Sequence, residues 1–169
     1  MDRILIDTNV LDYATKKQGS VGVRELFQQL EVTNIKPAVS AYSTFEAYRG
    51  LDPIKVSTMR EVIAKLRPLE VDLKSFKIAA LLYTCYQQNI ATKQYLDRYK
   101  DGDLVLAASA IRYNLPILTA NGNDFPRPYF TEMDSTVIIV DRKKRPVVIQ
   151  TLKPDIHYFN DQIAEHYVS

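Results

Sequence analysis

The chain carries one cysteine and two histidines in 169 residues. A single cysteine cannot close an internal disulfide, and Cys85 sits in the apolar segment AALLYTCY, which fits a buried, inert thiol. His157 and His166 stand near the end of the chain, away from every acidic motif. They lack metal-site spacing and read as surface or packing residues; no Ser-His-Asp or Cys-His centre can be built from them. No apolar run reaches the ~18–20 residues a membrane helix needs. The opening MDRILID lacks the pattern of a secretory signal. These absences lead us to expect a cytoplasmic chain with no membrane association. Walker loop, GxGxxG and CxxC are missing too, as are internal repeats, low-complexity blocks and linkers. A net charge of +2 is too small to argue nucleic-acid binding alone. It gains weight if several carboxylates gather in one cleft and leave the remaining surface more basic.

Apolar residues at 46% and charged residues at 25% give a globular composition, and the length fits one domain over residues 1–169 with one good core. Arg3–Asp7 is a short apolar run ending in the polar cluster Asp7-Thr8-Asn9 and reads as a buried strand. Helices are expected at Val10–Thr15, from Val21 past Leu30, from a Ser40 cap to Gly50 as C′ residue, over Ile54–Leu66 and over Leu73–Gln88. Ile35–Val39 is a second strand, and Pro68 reads as a terminator. Asp101-Gly102-Asp103 opens an apolar helix, Leu104–Tyr113, and a strand follows at Ile117–Thr119. Val137–Val140 and Val147–Gln150 read as strands joined by a basic turn, with an amphipathic helix in Asp155–Tyr167. Strands alternating with helices give an α/β class with a mostly parallel central sheet covered on both faces. The core is expected over about 1–140, with a C-terminal extension of hairpin and helix completed by about 141–169.

In an open parallel sheet, ligands bind outside the carboxyl ends of the strands. Asp7, Thr8 and Asn9 follow the first strand; Ala120, Asn121, Gly122, Asn123 and Asp124 follow PILT. Asp103 starts a helix apolar enough to be buried, and Glu46 lies inside the helix from Ser40. If these segments pack together, four carboxylates share one cleft and raise one another's pKa. A hard divalent cation relieves that repulsion, and oxygen ligands favour Mg²⁺ or Mn²⁺ over zinc. Such an ion can generate hydroxide and stabilise charge on a phosphoryl group. Each acid also has a plainer reading. Asp7 and Asp103 can cap the helices that follow them, Glu46 can pair with Arg49, and Asp124 can be a turn residue. The argument lies in the set.

In four segments the chain resembles the PIN-domain family, and within it the VapC-type toxin ribonucleases. ILIDTNVL (Ile4–Leu11) resembles the opening strand with its first catalytic Asp, here Asp7. SAYSTFEAYRG (Ser40–Gly50) resembles the helix with the catalytic Glu, here Glu46. GDLVLAASAI (Gly102–Ile111) resembles the Asp that starts an Ala-rich helix, here Asp103; Asp101 competes for that role, but Asp103 directly precedes the apolar run. LPILTANGNDF (Leu115–Phe125) resembles the last motif, here Thr119, Asn121, Asp124 and Phe125. The resemblance covers residues 1 to about 125 and implies a three-layer α/β/α fold and Mg²⁺- or Mn²⁺-dependent endonucleolytic cleavage of RNA. It further implies a homodimer and a cognate antitoxin that blocks the active site. Asp7, Glu46, Asp103 and Asp124 would be metal ligands or would position the attacking water, with Thr8, Asn9, Thr119 and Asn121 as supporting groups. The region after Phe125 is longer than the toxins' usual ending, and a dimer surface, an RNA contact and a lid over the core are all open to it.

Phosphates want Lys and Arg, and unpaired bases want aromatic faces. Tyr95, Arg98, Tyr99 and Lys100 offer both just before the third acid and read either as an RNA contact or as a solvated, partly packed helix. Lys143, Lys144 and Arg145 offer charge alone and suit a solvated turn. Three other functions compete with the toxin: an RNA-processing nuclease without antitoxin, a non-catalytic RNA- or protein-binding PIN module, and a haloacid-dehalogenase-like phosphatase. The last needs a second Asp two positions after Asp7, where the chain has Asn9.

Overall fold

Alternation in the first strand sets the layers. In β1 (Arg3–Ile6), Ile4 and Ile6 point to one face of the sheet and Leu5 to the other, and all three are buried. A strand buried on both faces must lie inside a sheet covered twice. The computed structural model describes residues 3–16, 19–49, 51–94, 96, 101–140 and 145–167. Among them β1 is central, paired in parallel with β2 (Lys36–Ser40) on one side and β4 (Ile117–Thr119) on the other. β3 (Arg67–Leu69) extends the parallel part beyond β2. β5 (Phe130–Ile139) and β6 (Pro146–Pro154) form an antiparallel hairpin, and β6, not β5, pairs with β4. The order is therefore β3-β2-β1-β4-β6-β5.

The described helices are α1 (Thr8–Ala14), α2 (Gly19–Val32), α3 (Ala41–Tyr48), α4 (Pro53–Ile63), α5 (Leu73–Gln88), α6 (Ile90–Lys93), α7 (Asp101–Tyr113) and α8 (Ile156–Tyr167). Val10, Leu11, Val23, Leu26, Leu30 and Met59 of α1, α2 and α4 cover the face of Ile4, Ile6, Val39, Leu118 and Ile149. Leu82, Cys85 and Tyr86 of α5, most of α7 and Phe159 of α8 cover the face of Leu5, Ala38, Ile117 and Leu152. The result is a three-layer α/β/α sandwich. Cys85 is buried, and burial raises its thiol pKa. No described helix is long and apolar enough to cross a membrane.

Local chemistry accounts for most boundaries. The Ser40 side chain caps α3 by accepting the Ser43 N–H at 2.9 Å. Asp72 caps α5 through the Ser75 N–H and also receives the Arg112 guanidinium, which fastens α7 to α5. Asn114 closes α7 with φ at 50°, the left-handed conformation that suits Asn after a helix.

Three elements differ from the sequence reading. Arg67-Pro68-Leu69 is an edge strand rather than a terminator, a place where proline is tolerated because one side of the ladder faces solvent. β5 begins at Phe130, seven residues before the expected Val137, and α7 begins at Asp101 rather than Leu104. The Gly50 cap, Lys143, Lys144 and the His166 side chain lie outside the described residues. His157 is exposed on α8, and Arg145 is exposed where β6 begins.

Candidate active site

Strand order reverses at β1, which has β2 on one side and β4 on the other. The crevice at such a reversal opens at the carboxyl ends of the strands. Asp7 stands there, immediately after β1, with 5% of its surface exposed. Its backbone is extended at the start of α1, but its carboxylate makes no capping hydrogen bond to that helix. It turns instead toward β4. Thr119 Oγ1 donates to Asp7 Oδ2 at 2.6 Å, and Asn9 Nδ2 donates to the same oxygen at 2.6 Å.

Each of these supporting groups is fixed in turn. The Thr119 hydroxyl accepts Asn9 Nδ2 at 3.1 Å and the Asn121 N–H at 2.9 Å while giving its proton to Asp7. That uses one donor and two acceptor positions, everything a hydroxyl has. Asn9 Oδ1 accepts the Ala120 N–H at 2.9 Å, which settles which end of its amide carries oxygen.

Burial raises the Asp7 pKa to about 6. The Thr119 hydrogen bond opposes that rise, the Asp103 charge adds to it, and the nearby N–H groups of Asn9 and Thr8 lower it slightly. Asp103 lies in the first turn of α7, close enough to be felt at Asp7. Glu46, on α3, accepts the Thr8 hydroxyl at 3.1 Å. Its carboxylate lies against the start of α7, where a Cβ on Gly102 would fall 2.6 Å from Glu46 Oε1. Glycine at 102 is what lets this carboxylate approach the positive end of that helix. The fourth acid, Asp124, ends a 3₁₀ turn (Gly122–Asp124) and accepts Asn121 Nδ2 at 2.7 Å. Asn121 links it back to Thr119 and so to Asp7.

The structure thus gathers all eight predicted residues of the acidic site at one end of the sheet. Tyr95, Arg98, Tyr99 and Lys100 lie outside the described residues. Three further contributors were not read from the sequence. Gly102 could have been noticed as a glycine between two acids at a helix start. Gln150 and Glu132 gave no signal. Gln150, opposite Thr119 in β6, accepts the Gly122 N–H at 3.1 Å and donates to Glu132 at 2.8 Å. The groove of about 670 Å³ between α2 and α4 contains none of the predicted acids.

Among the described residues no three Asp, Glu, His or Cys side chains converge as a ready-made metal cage. The donor set nevertheless fits a hard cation that keeps much of its water, since such ions take only one or two carboxylates directly.

The model of the PIN domain matches residues 4–131. The chain belongs to the PIN-domain family. PIN-domain nucleases generally depend on divalent metal. Solved structures share the fold, three of them as follows. VapBC2 from Rickettsia felis bound to a DNA fragment from their promoter has a TM-score of 0.55 and 17% identity, over 70% of this chain and 88% of that one. A toxin–antitoxin complex from Klebsiella pneumoniae has a TM-score of 0.52 and 22% identity, over 74% and 92%. FitAB bound to the IR36 DNA fragment has a TM-score of 0.55 and 21% identity, over 72% and 87%. No curated protein matches the chain in sequence. The family match ends two residues into β5, so most of the β5–β6 hairpin and all of α8 lie beyond it.

Proposed function

We propose that this PIN domain is a Mg²⁺- or Mn²⁺-dependent endoribonuclease and the toxin of a toxin–antitoxin pair. The observation that carries the chemistry is Asp7, a buried carboxylate of raised pKa oriented by Thr119 and Asn9 at the end of the sheet where Glu46, Asp103 and Asp124 also lie. Asp7 and Asp103 would hold the cation, with Glu46 and Asp124 binding it or its water shell. The bound ion would supply a hydroxide from water near neutral pH and offset charge on the phosphoryl oxygens.

The protein's own part is orientation. Thr119 and Asn9 restrict Asp7 to one rotamer, so ordering it for catalysis costs little when substrate arrives. Thr8 holds Glu46 by one carboxylate oxygen. Asn121 holds Asp124 by a charge-assisted hydrogen bond. No side chain here is placed as a covalent nucleophile, so direct attack by water on the phosphodiester is the reaction this set supports.

The toxin reading and the cognate antitoxin are supported by structures that are themselves toxin–antitoxin complexes, and the homodimer by the family resemblance alone. The test is cleavage of a mixed cellular RNA pool by partner-free protein with Mg²⁺, Mn²⁺ or EDTA, beside Asp7→Asn. Defined fragments that need metal and disappear in the variant are expected. Intact RNA with either ion, from folded protein, would leave a non-catalytic binding module.

A further inference from the structure

The acids of this site can act on a phosphodiester only if the nucleotides around it are held, and a surface suited to that lies on the same helix as Glu46. Tyr42, Phe45 and Arg49 occupy positions i, i+3 and i+7 of α3 and its C-terminal cap, and Glu46 stands between them at i+4. Residues at these offsets are neighbours on a helix surface, about 5–6 Å apart at Cβ. Phe45 is 56% exposed, unusual for a phenylalanine with a buried core available a turn away. The Tyr42 and Phe45 rings meet edge to face, 6.1 Å apart at 62°. The Arg49 guanidinium lies over the Phe45 ring at 5.7 Å. Tyr42 is also beside the acids: after burial, the charges of Glu46, Asp101 and Asp103 raise its phenol pKa.

An exposed aromatic face with an arginine stacked on it, one residue from a catalytic acid, has the makeup of a single-strand platform. Bases stack on the ring whatever their identity, and the guanidinium takes the adjoining phosphate. Carboxylates alone repel RNA, so a cation and an aromatic at the rim answer a need the acidic site creates. Packing gives no account of Phe45, since its ring faces solvent.

We propose that Phe45, with Tyr42 and Arg49, stacks an unpaired base of the RNA substrate next to the scissile phosphate. The proposal rests on the endoribonuclease reading, but its test is separate. The chain has no tryptophan, so Phe45→Trp installs a lone reporter at the platform. Placed on Asp7→Asn so that the RNA stays intact, at 0.15 M salt with Mg²⁺, it is titrated with a ten-nucleotide single strand, the same strand as a duplex, and an abasic strand of equal charge.

Strong quenching by the single strand and little by the other two is expected. In the same background Phe45→Ala should weaken single-strand binding roughly 5- to 150-fold, the range spanned by loss of one stacked base. Phe45→Trp should retain the affinity. Equal quenching by abasic and normal strands, or single-strand affinity unchanged in a folded Phe45→Ala protein, would overturn the platform. Metal-dependent cleavage by the wild type is scored alongside. Cleavage without quenching removes the platform and leaves the nuclease; quenching without cleavage removes the nuclease and leaves a single-strand binding surface.

Discussion

Replacing Asp7 by Asn should make the metal-free protein more stable at neutral pH while abolishing its chemistry. The native carboxyl has a pKa of about 6 against 3.8 when unperturbed. Between those values the folded state binds more protons than the unfolded one, so wild-type stability falls as pH rises from about 4 to 6 and stays low above. The difference of about 2 units corresponds to roughly 3 kcal/mol at pH 8. Asn carries no charge to desolvate, and its carbonyl oxygen can still accept both Thr119 Oγ1 and Asn9 Nδ2. In EDTA at pH 8 the variant should therefore melt roughly 6–12 °C above wild type, at ~2–4 °C per kcal/mol for a domain of this size. The gap should shrink to less than ~1 kcal/mol by pH 4 and close below about pH 3, where Asp7 is protonated in both states. Urea unfolding at pH 4, 6 and 8 reads the same difference as free energy. A variant less stable than wild type at pH 8, or a gain that does not shrink in acid, would refute the reasoning. Adding Mg²⁺ supplies a second arm. Wild type should gain about 2.7 kcal/mol at a hundredfold excess over its dissociation constant, and Asp7→Asn little.

Gly102→Ala should leave stability within ~1 kcal/mol, because alanine favours the helix and the atom in its way is a mobile carboxylate. Cleavage should nevertheless fall at least tenfold as Glu46 is displaced; full activity in a folded variant would show that its approach to α7 is dispensable. Thr119→Val keeps the shape but removes the hydroxyl that serves Asp7, Asn9 and Asn121, so we expect a loss of roughly 1–3 kcal/mol and a still higher Asp7 pKa by NMR titration. An unchanged pKa would contradict the assigned bond. Gln150→Glu should impair cleavage by setting two carboxylates against each other, and adding Glu132→Gln should restore it by letting the new Gln donate where Glu132 accepted. Failure of the double variant to recover would mean that the Gly122 turn is held by other contacts.

What could be read from the sequence was what is local. The alternation in Ile4-Leu5-Ile6, the Ser40 cap and the apolar run after Asp103 each act over a few residues, and the structure has them where local chemistry places them. The start of β5 was hidden because it lies at the edge of the sheet with solvent beside it. Glu132 through Ser135 are exposed and carry no period-two pattern to read. Arg67-Pro68-Leu69 is too short to show any period. The partners within the site were illegible for a different reason. Thr8 meets Glu46 38 residues away, and Asp7 meets Thr119 112 residues away. Local pattern can nominate such residues, as it did for all four acids, but only the fold says which oxygen faces which. Phe45 is a case of this kind, since nothing local distinguishes an aromatic at the rim of a site from one in a core.

Because β6 enters the sheet between β4 and β5, the order of synthesis and the order of assembly disagree. A chain leaving the ribosome exposes Asp7 first, then Glu46, Asp103 and Asp124, well before residues 146–154 exist to close the gap beside β4. Until then β5 has no neighbour in the sheet, Thr119 lacks the strand opposite it, and the Gly122 turn lacks Gln150. Pairings this distant in sequence are also the slow ones to form. A nascent nuclease made from this chain would carry its acids past the messenger it is read from while its last motif is still unclamped, and would become competent only after the ribosome had passed the codons for β6.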